Sequence, residues 1–271
     1  MVPFIKMHGL GNDFVVVDDR DGTLSLDHDR RRLLSNRRRG VGCDQLLILE
    51  KPTNGSADLF MRIYNPDGSE SQACGNGTRC VAALAMDELG ADRVTIETIA
   101  GNLPTHRAEG GLVTVDMGKP AFGWQDIPVA RDMDTLHLDL ALPGYEKPVG
   151  VNMGNPHCVF FVEDAETVPL AGIGPTVEND NLFPERTNVE FASVRPDGSI
   201  RMRVWERGAG ITEACGSGAC AVAVAAIRRG LVRDGADIDL DGGRLRIDWD
   251  GENGVMMTGP TAVSFHGTWQ P

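Results

Sequence analysis

The sequence predicts an α/β protein of the α+β type, made of two similar duplicated domains that each wrap a mainly antiparallel sheet around a central helix. A 17-residue segment from Met61 aligns without a gap on a segment from Met202, an offset of 141 residues. Short β-rich runs bounded by Gly, Pro, Asn and Asp indicate strands and turns in both halves. In each half, an Ala- and Val-rich run follows an Ala-Cys-Gly motif, as expected for a buried helix.

The elements follow one another in the same order in both halves. In the first half, the runs FVVVD, QLLILE, FMRIY, RVTIET and LVTVDM predict strands, and GTRCVAALAMDEL predicts a helix that stops at Gly90. In the second half, GACAVAVAAIRR predicts a helix that stops at Gly230. The segment that begins at Gly11 also resembles the segment that begins at Gly154. We therefore predict one domain over residues 1–117 and another over 118–262.

The net charge and the N-terminal sequence argue against several classes of function. The net charge of −13 opposes binding of nucleic acid through a general positive field. Six arginines lie between Asp29 and Gly40, and we interpret this segment as a short surface helix. No segment has the length of a signal peptide core or a membrane span, so we expect a cytoplasmic protein without a membrane partner. Its six cysteines should then be reduced thiols.

Cys74 and Cys215 each precede a predicted helix, a position that favours anion binding and thiol reactivity. The residues that follow them are Gly75, Asn76, Gly216 and Ser217. The glycines allow close approach of a ligand, and the unpaired N–H groups of a first helical turn bind anions such as carboxylates. The same electrostatic field lowers the pKa of a nearby thiol.

A pair of such thiols suits a two-base racemase or epimerase. If the two helix N-termini face each other across the cleft between the domains, an amino acid bound there has its α-carbon between Cys74 and Cys215. One thiolate removes the α-proton and the opposite thiol protonates the other face. The two groups must start in opposite protonation states.

The motifs give no reason to expect a cofactor or a metal. Pyridoxal phosphate needs a Schiff-base lysine, and no lysine lies beside either cysteine motif. A zinc or redox thiol protein is the alternative from another class, but the spacings of Cys74 to Cys80 and of Cys215 to Cys220 do not match usual zinc ligand spacing. We interpret the remaining cysteines as small buried hydrophobic residues.

Taken together, the motifs resemble those of the diaminopimelate epimerase family along essentially the whole chain. They are KMHGLGNDFVVVD, RGVGCDQLL, YNPDGSESQACGNGTRC, GNPHCV, RTNVEF, WERGAGITEACGSGACA and MTGP. The resemblance implies a cofactor-independent amino-acid epimerase that interconverts LL- and meso-2,6-diaminopimelate on the route to lysine and peptidoglycan. It also implies that residues 263–271 return to the first domain, and that a homodimer forms.

The resemblance further implies roles for particular residues. Cys74 and Cys215 are the acid/base pair, with Cys74 the base toward the LL substrate, and His157 is a supporting residue. The substrate-binding residues are Asn12, Gln45, Asn65, Gly75, Asn76, Asn155, Asn188, Glu206, Arg207, Gly216 and Ser217. Glu206 and Arg207 would pair with the ammonium and carboxylate of the substrate end that does not react.

Alternatives remain at this point. Asn12, Asn65 and Asn155 precede Asp, Pro and Pro, so they are also typical turn residues. A proline or hydroxyproline racemase of the same fold is the second candidate enzyme, although Asn76 stands where such enzymes typically carry histidine.

Overall fold

A computed structural model describes residues 1–53, 55–145 and 147–270 of the chain. In its first part the elements are β1 (Val2–Gly9), β2 (Asn12–Asp18), α1 (His28–Ser35), β3 (Gln45–Glu50), β4 (Leu59–Tyr64), β5 (Glu70–Ser71), α2 (Gly75–Leu89), β6 (Arg93–Thr98), β7 (Gly101–Arg107) and β8 (Val113–Asp116). They continue as β9 (Val149–Asn152), β10 (Pro156–Phe161), α3 (Leu170–Glu178), β11 (Asn188–Val194), β12 (Ile200–Glu206), β13 (Gly210–Ile211), α4 (Gly216–Arg228), β14 (Gly235–Leu240), β15 (Gly243–Asp248), β16 (Met256–Gly259) and β17 (Ala262–Trp269).

The chain divides into two compact units. The first unit comprises Met1–Asp116 and Thr258–Pro271, and the second comprises Met117–Met257. The C-terminal strand β17 pairs with β1 in antiparallel register, with Trp269 opposite Val2 and Ala262 opposite His8. The first unit is therefore built from both ends of the chain. The described part of the chain has no helix with the length and apolar character that a bilayer crossing requires.

The described residues of the first unit form a mixed sheet in which two pairings are parallel. Strands β2 and β3 run parallel across the α1 crossover, and β4 and β6 run parallel across the α2 crossover. The pairings of β1 with β2, β3 with β4, β6 with β7 and β7 with β8 are antiparallel. Helix α2 packs against these strands with Cys80, Val81 and Met86 fully buried.

The second unit repeats this arrangement. Strands β10 and β11 are parallel across α3, β12 and β14 are parallel across α4, and β9–β10, β11–β12 and β14–β15 are antiparallel. Every residue of α4 from Ala219 to Ala226 is fully buried. Small side chains let strands approach this helix closely, and alanine adds the strongest helix propensity. The predicted fold class, α+β with two duplicated halves, is confirmed.

Glycines follow both central helices. Gly90 adopts a left-handed conformation with φ of 61° and caps α2, its N–H donating to the carbonyl of Met86. Helix α4 ends at Arg228, and Gly230, with φ of 69°, lies just beyond its cap residue Arg229. Both positions use the tolerance of glycine for positive φ.

Candidate active site

In the first unit, Cys74 itself is the N-cap residue of α2. Its backbone is extended, and its Sγ accepts a hydrogen bond from the N–H of Gly77 at 3.3 Å. The hydroxyl of Thr78 donates to the carbonyl of Cys74 at 2.9 Å and closes the turn. A half-buried thiol therefore lies at the positive end of the helix dipole, where an N–H donor favours the thiolate.

Side-chain amides of the first unit are joined in a chain beside this helix end. The amide of Asn76 donates to Oδ1 of Asn12 at 3.2 Å, and the amide of Asn12 donates to Oδ2 of Asp44 at 3.0 Å. Asp44 in turn accepts from the guanidinium of Arg37 at 2.7 Å. These hydrogen bonds fix the orientation of both amides, and the carboxylate of Asp44 orients the amide of Asn12.

A second amide pair lies on the neighbouring strands. The amide of Gln45, at the start of β3, donates to Oδ1 of Asn65 at 3.2 Å, and the amide of Asn65 donates to the hydroxyl of Ser69 at 3.1 Å. Asn65 follows β4, the partner strand of β3. The first unit thus brings together Asn12 with Asn76, and Gln45 with Asn65.

In the second unit, Cys215 is the N-cap residue of α4 and is buried, with 5% of its surface exposed. Its Sγ lies 3.6 Å from the hydroxyl of Ser217. Burial raises the pKa of Cys215 well above the ordinary thiol value, and the carboxylates of Glu206 and Glu190 raise it further. Cys215 is therefore a protonated thiol at neutral pH in the absence of substrate.

Glu206 ends strand β12 and lies against this thiol. Burial raises the pKa of Glu206, while hydrogen bonds from Thr212 and from the Cys215 thiol oppose the shift. The hydroxyl of Thr212 donates directly to Oε1 of Glu206. Glu206 is thus an acceptor that keeps the Cys215 proton in place.

A buried histidine and glutamate pair lies under the first turn of α4. Nδ1 of His157 is 2.6 Å from Oε1 of Glu190, and Nε2 of His157 is 2.9 Å from Oδ1 of Asn155. Neither His157 nor Glu190 is exposed. An added Cβ on Gly218 would lie 3.0 Å from Oε1 of Glu190 and 3.3 Å from Sγ of Cys215, so this glycine lets the carboxylate approach the helix end.

The first unit has apolar residues at the equivalent places. The parallel strands pair Phe14 with Gln45 in one unit and His157 with Asn188 in the other, so Phe14 corresponds to His157. Two residues further along, Leu47 corresponds to Glu190, and Leu47 lies 3.1 Å from the Cβ position of Gly77. The residues beneath Cys74 are therefore apolar, whereas those beneath Cys215 are a histidine and a glutamate.

Asn188 and Arg207 are brought together beside this pair. The amide of Asn188 donates to the carbonyl of Pro156 at 2.8 Å, and Oδ1 of Asn188 accepts from the backbone N–H of Arg207 at 2.9 Å. The exposed guanidinium of Arg207 donates to the carbonyl of Glu185 at 3.1 Å. The second unit thus groups Asn155, His157, Asn188, Glu206, Arg207 and Ser217 with Cys215.

The geometry corrects one detail and adds residues that the sequence analysis missed. Both central helices begin two residues earlier than predicted, at Gly75 and Gly216. The two cysteines therefore occupy the N-cap positions, in place of the polar side chains that are more typical there. Asp44 and Glu190 were missed, although Glu190 is a single charge inside the apolar strand β11, which is an unusual pattern for a buried strand. Among the described residues, no cluster of three or more His, Cys, Asp or Glu side chains is arranged to hold a metal ion.

The fold is shared with a hydroxyproline epimerase and a phenazine biosynthesis protein of known structure. A hydroxyproline epimerase from Agrobacterium vitis superposes with a TM-score of 0.68 at 18% identity, covering 98% of this chain and 90% of that one. A phenazine biosynthesis protein from Bacillus anthracis superposes with a TM-score of 0.69 at 16% identity, covering 98% of each chain. At these identities the likeness establishes the fold alone.

The sequence comparisons define the family. The diaminopimelate epimerase family model matches residues 4–123 and 149–263. A diaminopimelate epimerase of Rhodospirillum centenum is 55% identical, covering 97% of this chain and 91% of the relative. Another, from Acidiphilium cryptum, is 52% identical, covering 98% of this chain and 95% of the relative. The chain belongs to the diaminopimelate epimerase family.

Proposed function

We propose that this chain is a cofactor-independent epimerase that interconverts LL- and meso-2,6-diaminopimelate. The observation that carries the proposal is the placement of Cys74 and Cys215, one at the N-terminus of the central helix in each unit. We further propose that the two units are the duplicated domains expected from the sequence.

Proton transfer is assigned to the two thiols. Cys74, whose Sγ accepts an N–H bond from Gly77, is the thiolate that removes the α-proton of the LL substrate. The electron pair left on the α-carbon is delocalised into the carboxylate. Cys215, which burial keeps protonated, then gives its proton to the opposite face. The cycle leaves a Cys74 thiol and a Cys215 thiolate, which is the starting state for the reverse reaction.

The helix ends stabilise the charge that develops on the carboxylate. The first-turn N–H groups that include those of Gly75, Asn76, Gly216 and Ser217 provide donors at the positive ends of α2 and α4. These donors are fixed before the reaction, so they need no rearrangement as charge builds.

The second unit supplies the charged contacts for the end of the substrate that does not react. Glu206 pairs with the distal ammonium and Arg207 with the distal carboxylate, and the amides of Asn12, Gln45, Asn65, Asn155 and Asn188 complete the contacts. His157 supports Asn155 through the hydrogen bond at 2.9 Å. We assign the function to the cytoplasm, as the sequence analysis predicts.

We propose a homodimer as the assembly. Val263 and Phe265 are apolar side chains of β17 that are 46% and 50% exposed, so this strand presents apolar surface to solvent. A second copy of the same strand is its simplest partner, since a two-fold interface is self-complementary. Sedimentation should show a dimer that Phe265→Asp dissociates, and a monomeric wild-type chain would contradict the assignment.

Isotope exchange tests the reaction directly. In deuterated buffer with a reducing agent, the purified chain should exchange the α-proton of LL-diaminopimelate while converting it to the meso form. L-Proline, the substrate of the second candidate enzyme, should show no exchange. Exchange of proline without exchange of diaminopimelate would favour that second candidate instead.

A further inference from the structure

Glu178, the last residue of α3, holds its buried carboxylate between three donors. Oε2 accepts from Nε1 of Trp205 at 2.7 Å, and Oε1 accepts from the backbone N–H of Gly208 at 2.9 Å and from Nη1 of Arg186 at 3.3 Å. Glu178 is only 5% exposed. Three donors on one buried carboxylate fix both oxygens, since an unpaired oxygen there would be costly.

Helix α3 also contacts the indole of Trp205 directly. A Cβ on Gly174 would lie 2.5 Å from Cγ of Trp205, so the helix backbone touches the ring. Glu178 follows one helical turn later and meets the indole N–H. Trp205 is therefore held by both a packed face and a hydrogen bond.

The segment that Glu178 holds carries the charged pair Glu206 and Arg207. Trp205 precedes this pair and Gly208 follows it, so the two contacts of Glu178 lie on either side. Ala209 closes the turn through its N–H bond to the carbonyl of Glu206 at 3.1 Å. The backbone positions of Glu206 and Arg207 thus depend on a carboxylate from another element.

In the first unit, the equivalent aromatic residue has a different contact partner. Tyr64 corresponds to Trp205 in the repeat, and the guanidinium of Arg31 from α1 lies 4.0 Å from the centre of its ring. The turn that follows is closed as in the second unit, by the N–H of Gly68, which donates to the carbonyl of Asn65 at 2.9 Å. The contacts of Glu178 with the aromatic residue and the turn belong to the half that carries the ion-pairing residues.

We propose that Glu178 is a positioning residue that fixes the Glu206–Arg207 turn for recognition of the distal amino-acid group of the substrate. The proposal rests on the proposed function, because it assumes that this turn binds the end that does not react. A turn fixed before binding loses less conformational entropy when the ligand arrives. Glu178 should therefore act mainly on the KM for diaminopimelate. Its effect on kcat should be smaller, because Thr212 also holds the Glu206 carboxylate that contacts the Cys215 thiol.

The test compares steady-state kinetics of the full chain with LL-diaminopimelate. Glu178→Ala removes all three hydrogen bonds and should raise KM about tenfold or more, with kcat within about threefold of wild type. Glu178→Gln keeps one acceptor oxygen and should give a smaller rise. Trp205→Phe removes only the indole donor and should also raise KM. Glu166→Gln, which alters a carboxylate paired with Arg201 elsewhere in the second unit, is the control and should change neither constant.

The outcomes separate a positioning role from a purely structural one. A KM within about twofold of wild type for Glu178→Ala, or a fall in kcat at constant KM, would overturn the proposal. If Glu178→Ala does not fold, an unchanged KM in Trp205→Phe overturns it instead. A wild-type chain without activity on diaminopimelate would refute the proposed function, which is a different result from an unaltered KM in an active enzyme.

Discussion

His157 and Glu190 form a fully buried pair in the second unit, with Nδ1 of the imidazole 2.6 Å from Oε1 of the carboxylate. Burial raises the pKa of Glu190, and His157 opposes that shift by charge and by hydrogen bonding. The equivalent residues of the first unit, Phe14 and Leu47, need no such compensation. The two halves therefore share a backbone arrangement, but beneath the helix of Cys215 a hydrogen-bonded imidazole and carboxyl pair stands where the first unit has an apolar contact.

This pair leads to a prediction about stability. Glu190→Leu alone should cost about 3 kcal/mol of unfolding free energy, because it leaves a buried imidazole without its partner. The double variant His157→Phe with Glu190→Leu reproduces the residues of the first unit, and should lie within about 1 kcal/mol of wild type. Urea unfolding measures both. A double variant less stable than Glu190→Leu would show that the two sites are not equivalent.

The two thiols should be separable by isotope exchange. Cys74→Ala and Cys215→Ala should each lower epimerisation by about 10³-fold or more, since each removes one of two proton-transfer groups. Cys215→Ala should still exchange the α-proton of LL-diaminopimelate for deuterium with retention of configuration, because Cys74 can return a deuteron to the same face. Cys43→Ala, at a buried cysteine outside the helix ends, is the control and should remain active. Full activity in either of the first two variants would exclude the two-base mechanism.

The resting protonation states should appear in alkylation rates. Cys74 is half-buried and accepts an N–H bond, whereas burial raises the pKa of Cys215 and keeps it a thiol. Iodoacetamide at neutral pH should therefore modify Cys74 faster, because the thiolate is the nucleophile. Peptide mass spectrometry over time gives both rates. Faster modification of Cys215 would reverse the assignment of base and acid.

Asp13 should make stability depend on pH. Burial raises its pKa, but hydrogen bonds from Arg37 and Lys6 outweigh this effect and lower the pKa to about 2 from an ordinary value of 3.8. Because the folded-state pKa is the lower one, the stabilisation is present above about pH 4 and is lost as the pH falls toward 2. Asp13→Asn should cost about 1 kcal/mol at pH 7, after allowance for solvent screening.

Unfolding free energies at a series of pH values test this dependence. The difference between wild type and Asp13→Asn should shrink toward zero as the pH approaches 2. Asp21→Asn, which changes an exposed carboxylate of the same unit, is the control. A difference that stays constant with pH would mean that ionic contacts of Asp13 do not stabilise the fold.

Two glycines of α3 provide a matched pair of substitutions. A Cβ on Gly174 would overlap the indole of Trp205, so Gly174→Ala should destabilise the chain by about 2 kcal/mol. A Cβ on Gly172 would meet no atom within 4 Å, so Gly172→Ala should be neutral or stabilise by up to about 1 kcal/mol. Thermal unfolding compares them. Equal effects would mean that contact with Trp205 does not decide the cost.

The repeat in the sequence made much of the fold predictable. The two Ala-Cys-Gly motifs predicted the central helices, because glycine, small apolar residues and a terminal glycine are local signals. The matching strand runs predicted the same element order in both halves. Helix α3 was not predicted, since Gly172, Gly174 and Pro175 weaken the helical signal and its stability comes from packing against Trp205.

The supporting contacts of the site needed the three-dimensional register. Glu190 reaches His157 only because β10 and β11 run parallel with His157 opposite Asn188. Glu178 meets Trp205 across 27 residues of sequence, and no local pattern links them. A sequence motif identifies the residues at a helix end, but long-range strand pairing determines which residues lie beneath that helix end.

The chain path also has a consequence for the order of synthesis and folding. The second unit is one continuous segment, so it can form its core as soon as residues 117–257 have left the ribosome. The first unit cannot complete its sheet until β17 arrives, because β1 pairs with that strand at the far end of the chain. The half that is translated first is therefore expected to finish folding last, and β1 is left with an open edge throughout translation.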